Sequence, residues 1–126
     1  MSKDKQPNTS PDTLTQVVVS MAVESWRFAK VLDRLLTKLD AGEQNRYRSQ
    51  LRWFTKKIEQ ALEQADLQIV NVEGHAFDPG MAATPLNIEE FDAEDALIVD
   101  QMLEPIIIGK DGLVQTGIIT LRKVEL

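Results

Sequence analysis

One histidine, no cysteine and a run of carboxylates are what this chain offers for chemistry. His75 stands beside Gly74, and Ser2, Ser10, Ser20, Ser25 and Ser49 all lie far from it in sequence. Nucleophilic catalysis needs a base within hydrogen-bond reach of the hydroxyl, and nothing in the spacing singles out such a pair. His75 therefore reads as a solvated side chain in a turn. A metal centre needs clustered ligands, and thiolate chemistry is excluded outright. Asp92, Glu94, Asp95, Asp100 and Glu104 form an acidic run that acid–base catalysis could use only if an apolar environment drove two of their pKa values apart. Without that environment, the run reads as a solvated face. Gly109-Lys110-Asp111-Gly112 lacks the upstream glycine and the Ser/Thr after the lysine that a phosphate-binding loop requires, so it reads as a turn. No catalytic residue, metal ligand or cofactor is assigned, and the chain is read as a non-enzyme.

The interleaved basic and aromatic residues Arg46, Tyr47, Arg48, Arg52, Trp53, Phe54, Lys56 and Lys57 have the composition of a nucleic-acid stripe. Helical spacing sorts them otherwise, since Tyr47, Leu51, Phe54 and Ile58 share one face and most charges fall on another. The charges read as a solvated helix face. Charge balance along the chain agrees: residues 12–66 carry nine Lys/Arg against eight Asp/Glu, and residues 67–126 carry three against eleven. The C-terminal half, at −8, would repel a phosphate backbone, so no nucleic-acid partner is expected. Trp26 and Trp53 lie off the apolar seams, where each can anchor an interface or cap a bundle.

The elements that position these residues begin with a long helix. Leu14, Val18, Met21, Ser25, Phe28, Leu32, Leu35 and Leu39 fall in alternating steps of four and three, the repeat that keeps one helix face against a neighbour along its length. Burying each apolar member contributes about 1.5–3 kcal/mol, whereas fixing each backbone residue costs about 1–2 kcal/mol. The seam alone cannot hold the helix. Val17, Ala22, Ala29, Val31 and Leu36 widen the stripe, which fits a four-helix bundle made from two copies of the chain. The expected dimer interface is Leu14, Val18, Met21, Phe28, Leu32, Leu35 and Leu39.

Ser10-Pro11-Asp12 carries the residue types of a helix start, and Asp40-Ala41-Gly42 is expected to break the helix after Leu39, with Gly42 as its cap. Tyr47, Leu51, Phe54, Ile58, Ala61 or Leu62, and Ala65 mark a second helix whose phase does not continue the first. An antiparallel hairpin is the simpler account, and a continuous helix with a stutter is the alternative. After Asp66 the pattern changes to strands at 67–72, 96–103 and 105–108, a turn at Gly109–Gly112, and one returning strand from Leu113 to Val124. Residues 73–94 read as irregular. The fold expected is α+β: a lead at 1–9 without structure, a helical dimerisation region at 10–66 and a small, mostly antiparallel β domain at 67–126. With 126 residues, 43% of them hydrophobic, no window approaches a membrane span, and no membrane partner is expected. The polar start and the absence of cysteine make the cytoplasm the expected compartment.

Over roughly residues 20–124 the chain resembles GrpE, the nucleotide-exchange factor family of DnaK-type chaperones. Val31-Leu-Asp-Arg-Leu-Leu36 is similar to the leucine–aspartate–arginine segment of that family. Leu51 to Val72 is similar to its second bundle helix running into the first strand, Phe77-Asp78-Pro79 to its aromatic–aspartate–proline step, and Ile118 to Lys123 to its closing strand. The chain departs from the family in having only about a dozen residues before the seam, where members carry a long paired helix. It also has Gly80-Met-Ala-Ala-Thr-Pro85 where the family has a histidine and an alanine, and Pro105-Ile-Ile107 where it has a glycine–aromatic pair. The resemblance implies a homodimer that binds the nucleotide domain of a DnaK-type chaperone and promotes ADP release. Carried over by position, the chaperone-binding residues are Leu103, placed in the loop before the hairpin, Gly112, Leu121 and Pro79. A dimeric scaffold that keeps the fold without exchange activity is the alternative.

Overall fold

The computed structural model describes residues 11–124. Two helices, α1 (Pro11–Leu36) and α2 (Ala41–Gln64), precede six strands: β1 (Gln68–Val70), β2 (Ala83–Pro85), β3 (Leu97–Glu104), β4 (Ile106–Gly109), β5 (Gly112–Gln115) and β6 (Gly117–Lys123). A short 3-10 turn at Ile88–Glu90 lies between β2 and β3. The α+β class is therefore as expected, and the helices form a hairpin rather than one continuous rod. The break falls earlier than the sequence implied. α1 ends at Leu36, residues 37–40 make the turn, and Asp40 caps α2 by accepting the Glu43 N–H at 3.0 Å. Gly42 sits inside the first turn of α2 and caps nothing, because the Asp40 carboxylate already fixes the start of the new helix. Leu39 consequently lies in the connection, and the seam ends at Leu35. The expected start at Ser10 lies outside the described residues.

The β half is built on one long, bent hairpin. β3 and β4 form its first arm, interrupted by Pro105, and β5 and β6 form its second, interrupted at Thr116. The expected single strand from Leu113 to Val124 is thus two strands in two sheets. Proline has no N–H to give to a ladder. Opposite it, a Cβ on Gly117 would stand 2.8 Å from Ile106 Cγ1 and 3.0 Å from the Glu104 carbonyl oxygen, so only glycine lets the arms cross so closely. Beyond the break β4 pairs antiparallel with β5 and with β1, while before it β6 pairs antiparallel with β3 and parallel with β2. The sheet orders are β1-β4-β5 and β2-β6-β3. The parallel β2 arises within the stretch read as irregular, where a three-residue strand containing Pro85 has no legible period.

The turn at the hairpin tip is as expected, with Lys110 and Asp111 between paired Gly109 and Gly112, and Gly112 at φ +120°. Two apolar clusters join the halves. Val19, Ala22 and Val23 of α1 pack with Leu62, Leu67 and Ile107, and Trp26 packs with Val72, Val99, Met102, Ile106, Ile119 and Leu121. Helices and sheets therefore share their cores. No helix among the described residues is long and apolar enough to cross a membrane.

Candidate functional site

α1 has two working faces, and they point in opposite directions. The inner face is pinned to the sheet through Trp26, which is 7% exposed and whose Nε1–H donates to the Met102 carbonyl at 2.6 Å. Lys30, one turn on, lies 5.3 Å from the Trp26 ring centroid and pairs with Glu73. The same Glu73 oxygen accepts the Met102 N–H at 2.7 Å. One peptide edge of β3 is thus satisfied by two side chains that α1 helps to hold. Arg27 reaches Glu104 at 3.3 Å beside them. Charge-assisted bonds of this kind are stronger than neutral ones, and they fix how the helix lies on the sheet.

The outer face carries Leu14, Val17, Met21, Phe28, Val31 and Leu35, all exposed, with Phe28 at 63% and Met21 at 67%. Of the expected interface residues, Leu14, Met21, Phe28 and Leu35 lie seven apart on this open face, while Val18 and Leu32 are half-buried beside it. Leu39, in the turn, is half-buried and off the helix. Tyr47 and Phe54 are likewise exposed on α2. Six large apolar side chains lined up on one solvent-facing helix are unusual for a chain that stays alone in water.

The residues carried over as chaperone contacts are spread over both sheets and a loop. Leu121 is 3% exposed and packs in the Trp26 cluster, so its side chain is no surface anchor, because β6 is the central strand and that face is closed by α1. Leu103 is half-buried and lies within β3 at an irregularity between Met102 and Glu104, not in a loop. Gly112 is exposed at the edge strand β5, and Pro79 is exposed after Asp78, whose carboxylate accepts the Gly80 N–H at 2.9 Å.

Of the acidic run, Asp92, Glu94 and Asp100 are exposed, and Asp95 and Glu104 are half-buried. Asp95 accepts the Asp92 N–H at 2.8 Å and lies 3.6 Å from Lys123, and Asp100 lies 3.3 Å from Arg122. His75 is exposed, and no group of three His, Cys, Asp or Glu suited to a metal is found among the described residues. Sequence reasoning missed one grouping. Arg48, Arg52 and Lys56, read as part of a solvated face, border a groove between the helices that Trp26 and Trp53 also line. The helix spacing held that information for α2, but nothing in the sequence said which face of α1 the expected hairpin would set opposite it.

Compared with known proteins, this chain matches no family model, no curated protein and no solved structure.

Proposed function

We propose that this chain is a GrpE-like, non-enzymatic partner of a DnaK-type chaperone, working in the cytoplasm as a homodimer joined through its helical hairpins into a four-helix bundle. The observation that carries the reading is the order of parts: a helical hairpin with an open heptad stripe at Leu14, Met21, Phe28 and Leu35, leading directly into a small β unit. Symmetric pairing is the commonest way to cover such a stripe. The mechanism asks for nothing more than differential binding. A partner that holds the open nucleotide lobe about tenfold more tightly than the closed one shifts their balance by about 1.4 kcal/mol toward ADP release. The contact falls to the β half, through Leu103, Gly112 and Pro79, with Leu121 supporting the sheet from inside. At −8 over residues 67–126, that half suits a basic surface, so association slows as salt rises.

The test is stopped-flow release of labelled ADP from the nucleotide domain of a DnaK-type chaperone. Acceleration by the full chain at micromolar concentration, weakening with salt, is expected, and no acceleration sinks the reading. A scaffold without exchange activity is the second reading. The burial of Leu121 favours it, because one apolar contact implied by the resemblance is withdrawn from the surface. Binding to the nucleotide domain without faster ADP release selects it.

A further inference from the structure

We propose that the groove between α1 and α2 is a docking site for an acidic segment of a partner protein bearing an apolar anchor side chain. The groove has a volume of about 690 Å³ and is partly open to solvent. Its floor is apolar, from Trp26, Ala29 and Leu51, and Trp53, 64% exposed, stands at its margin. The cations around it divide into two kinds. Lys30 and Arg48 are committed, to Glu73 and, at 2.9 Å, to Asp33. Arg52 and Lys56, one turn apart on α2, are exposed and belong to no ion pair found among the described residues.

Lys30, Arg48, Arg52 and Lys56 against Asp33 and Glu59 leave the lining at +2, on a chain of net charge −6. A positive, aromatic-edged groove on an otherwise acidic molecule is complementary to carboxylates beside an apolar side chain, and tryptophan and arginine are the residues on which binding energy most often concentrates. Openness suits a chain segment, since small ligands are held in sites that bury most of their surface. Two uncommitted cations flanked by Asp33 and Glu59 are a poor match for a phosphate backbone, whose binding scales with the number of charges neutralised.

The groove is also independent of the outer stripe. Phe28 is two residues from both Trp26 and Lys30, and residues two apart lie on opposite sides of a helix. The site therefore stays open when the stripe is covered, and its occupancy does not depend on whether the chain acts on a chaperone.

The experiment is a selection of short random displayed peptides on the intact full-length chain, with the Arg52→Glu/Lys56→Glu variant as the subtractive target. Circular dichroism and thermal unfolding confirm that the variant folds. If it does not, Arg52→Gln/Lys56→Gln takes its place. The expected pool is net negative with a Leu, Phe or Trp in each peptide. A synthetic peptide of that consensus should bind the wild type about tenfold more tightly than the variant or Trp53→Ala, a difference that shrinks as salt rises. A neutral or basic consensus, equal binding to the variants, or no enrichment overturns the proposal. So does tighter binding of labelled oligothymidine than of the peptide, or self-association in sedimentation that the charge reversal abolishes, which would make the occupant a nucleic acid or a second copy.

Discussion

Asn87 completes a strand edge that the backbone leaves open. The backbone ladder along β6 ends with the Leu86 N–H donating to the Ile119 carbonyl at 3.0 Å, and the Asn87 side chain continues it, accepting the Leu121 N–H at 2.9 Å and donating to the Leu121 carbonyl at 3.0 Å. One amide thus satisfies both polar groups of a buried residue, which otherwise cost free energy when left unpaired. Asn87→Ala should destabilise the fold by about 1–3 kcal/mol, read as a lower urea midpoint. Asn87→Asp should do no better, because a carboxylate cannot donate to the carbonyl and meets its oxygen with like charge. A midpoint unchanged in both variants would mean that water replaces the amide at no cost. Asn87 was not legible in the sequence. It sits between two apolar residues in a stretch without period, and its partner lies 34 positions away. Trp26 was half legible: its place off the seam was readable, but the Met102 carbonyl it serves was not.

At the scale of elements, the bend in the long hairpin decides the β half, and two glycines test it by different physics. Gly117→Ala puts a methyl within 2.8 Å of the Ile106 side chain and 3.0 Å of a carbonyl oxygen, an overpacking expected to cost about 1–3 kcal/mol. Gly112→Ala meets open space but holds φ at +120°, so its cost, also about 1–3 kcal/mol, is backbone strain. Chemical denaturation with Ile106→Ala as the second change separates them. Coupling with Gly117→Ala is expected, and none with Gly112→Ala. Equal coupling for both would mean that the crossing at Pro105 is not sterically fixed. The same contrast explains what could be read in advance. Lys110-Asp111-Gly112 is a local turn signal and was legible, as were both helices, because three- and four-residue spacing is written along the chain. The split of the closing strand was not, because the reason for it is Ile106 across the hairpin. The misplaced helix break has a local cause that was open to reading: Asp40 followed three residues later by Glu43 is a helix start, and it competed with a glycine signal that the structure leaves unused.

For the molecule as a whole, the two faces of α1 separate folding from assembly. Val19, Ala22, Val23 and Trp26 are buried against α2 and the sheets, whereas Met21, Phe28 and Leu35 are exposed. The sequence pattern put the outward-facing seam at the centre of its stripe, with Ala22 alone of these four buried residues on its flank, and from it charges at Leu32 and Leu35 should dissociate and unfold the bundle together. The fold predicts a different outcome for a charge placed outward. Phe28→Asp removes no contact from either buried cluster, so a single chain should still fold and show its near-ultraviolet tryptophan signal. In a bundle of two chains the same carboxylate would be buried without a partner, at a cost of several kcal/mol. Sedimentation equilibrium at micromolar concentration should therefore give a dimer for the wild type and a monomer for Phe28→Asp. The variant should unfold cooperatively, at a midpoint that no longer rises with protein concentration. Val23→Asp is the contrasting change, since its charge enters the cluster between α1, α2 and β4 and should abolish folding outright. Equal masses for wild type and Phe28→Asp would leave the stripe without a role in pairing and remove the four-helix bundle from the proposed function.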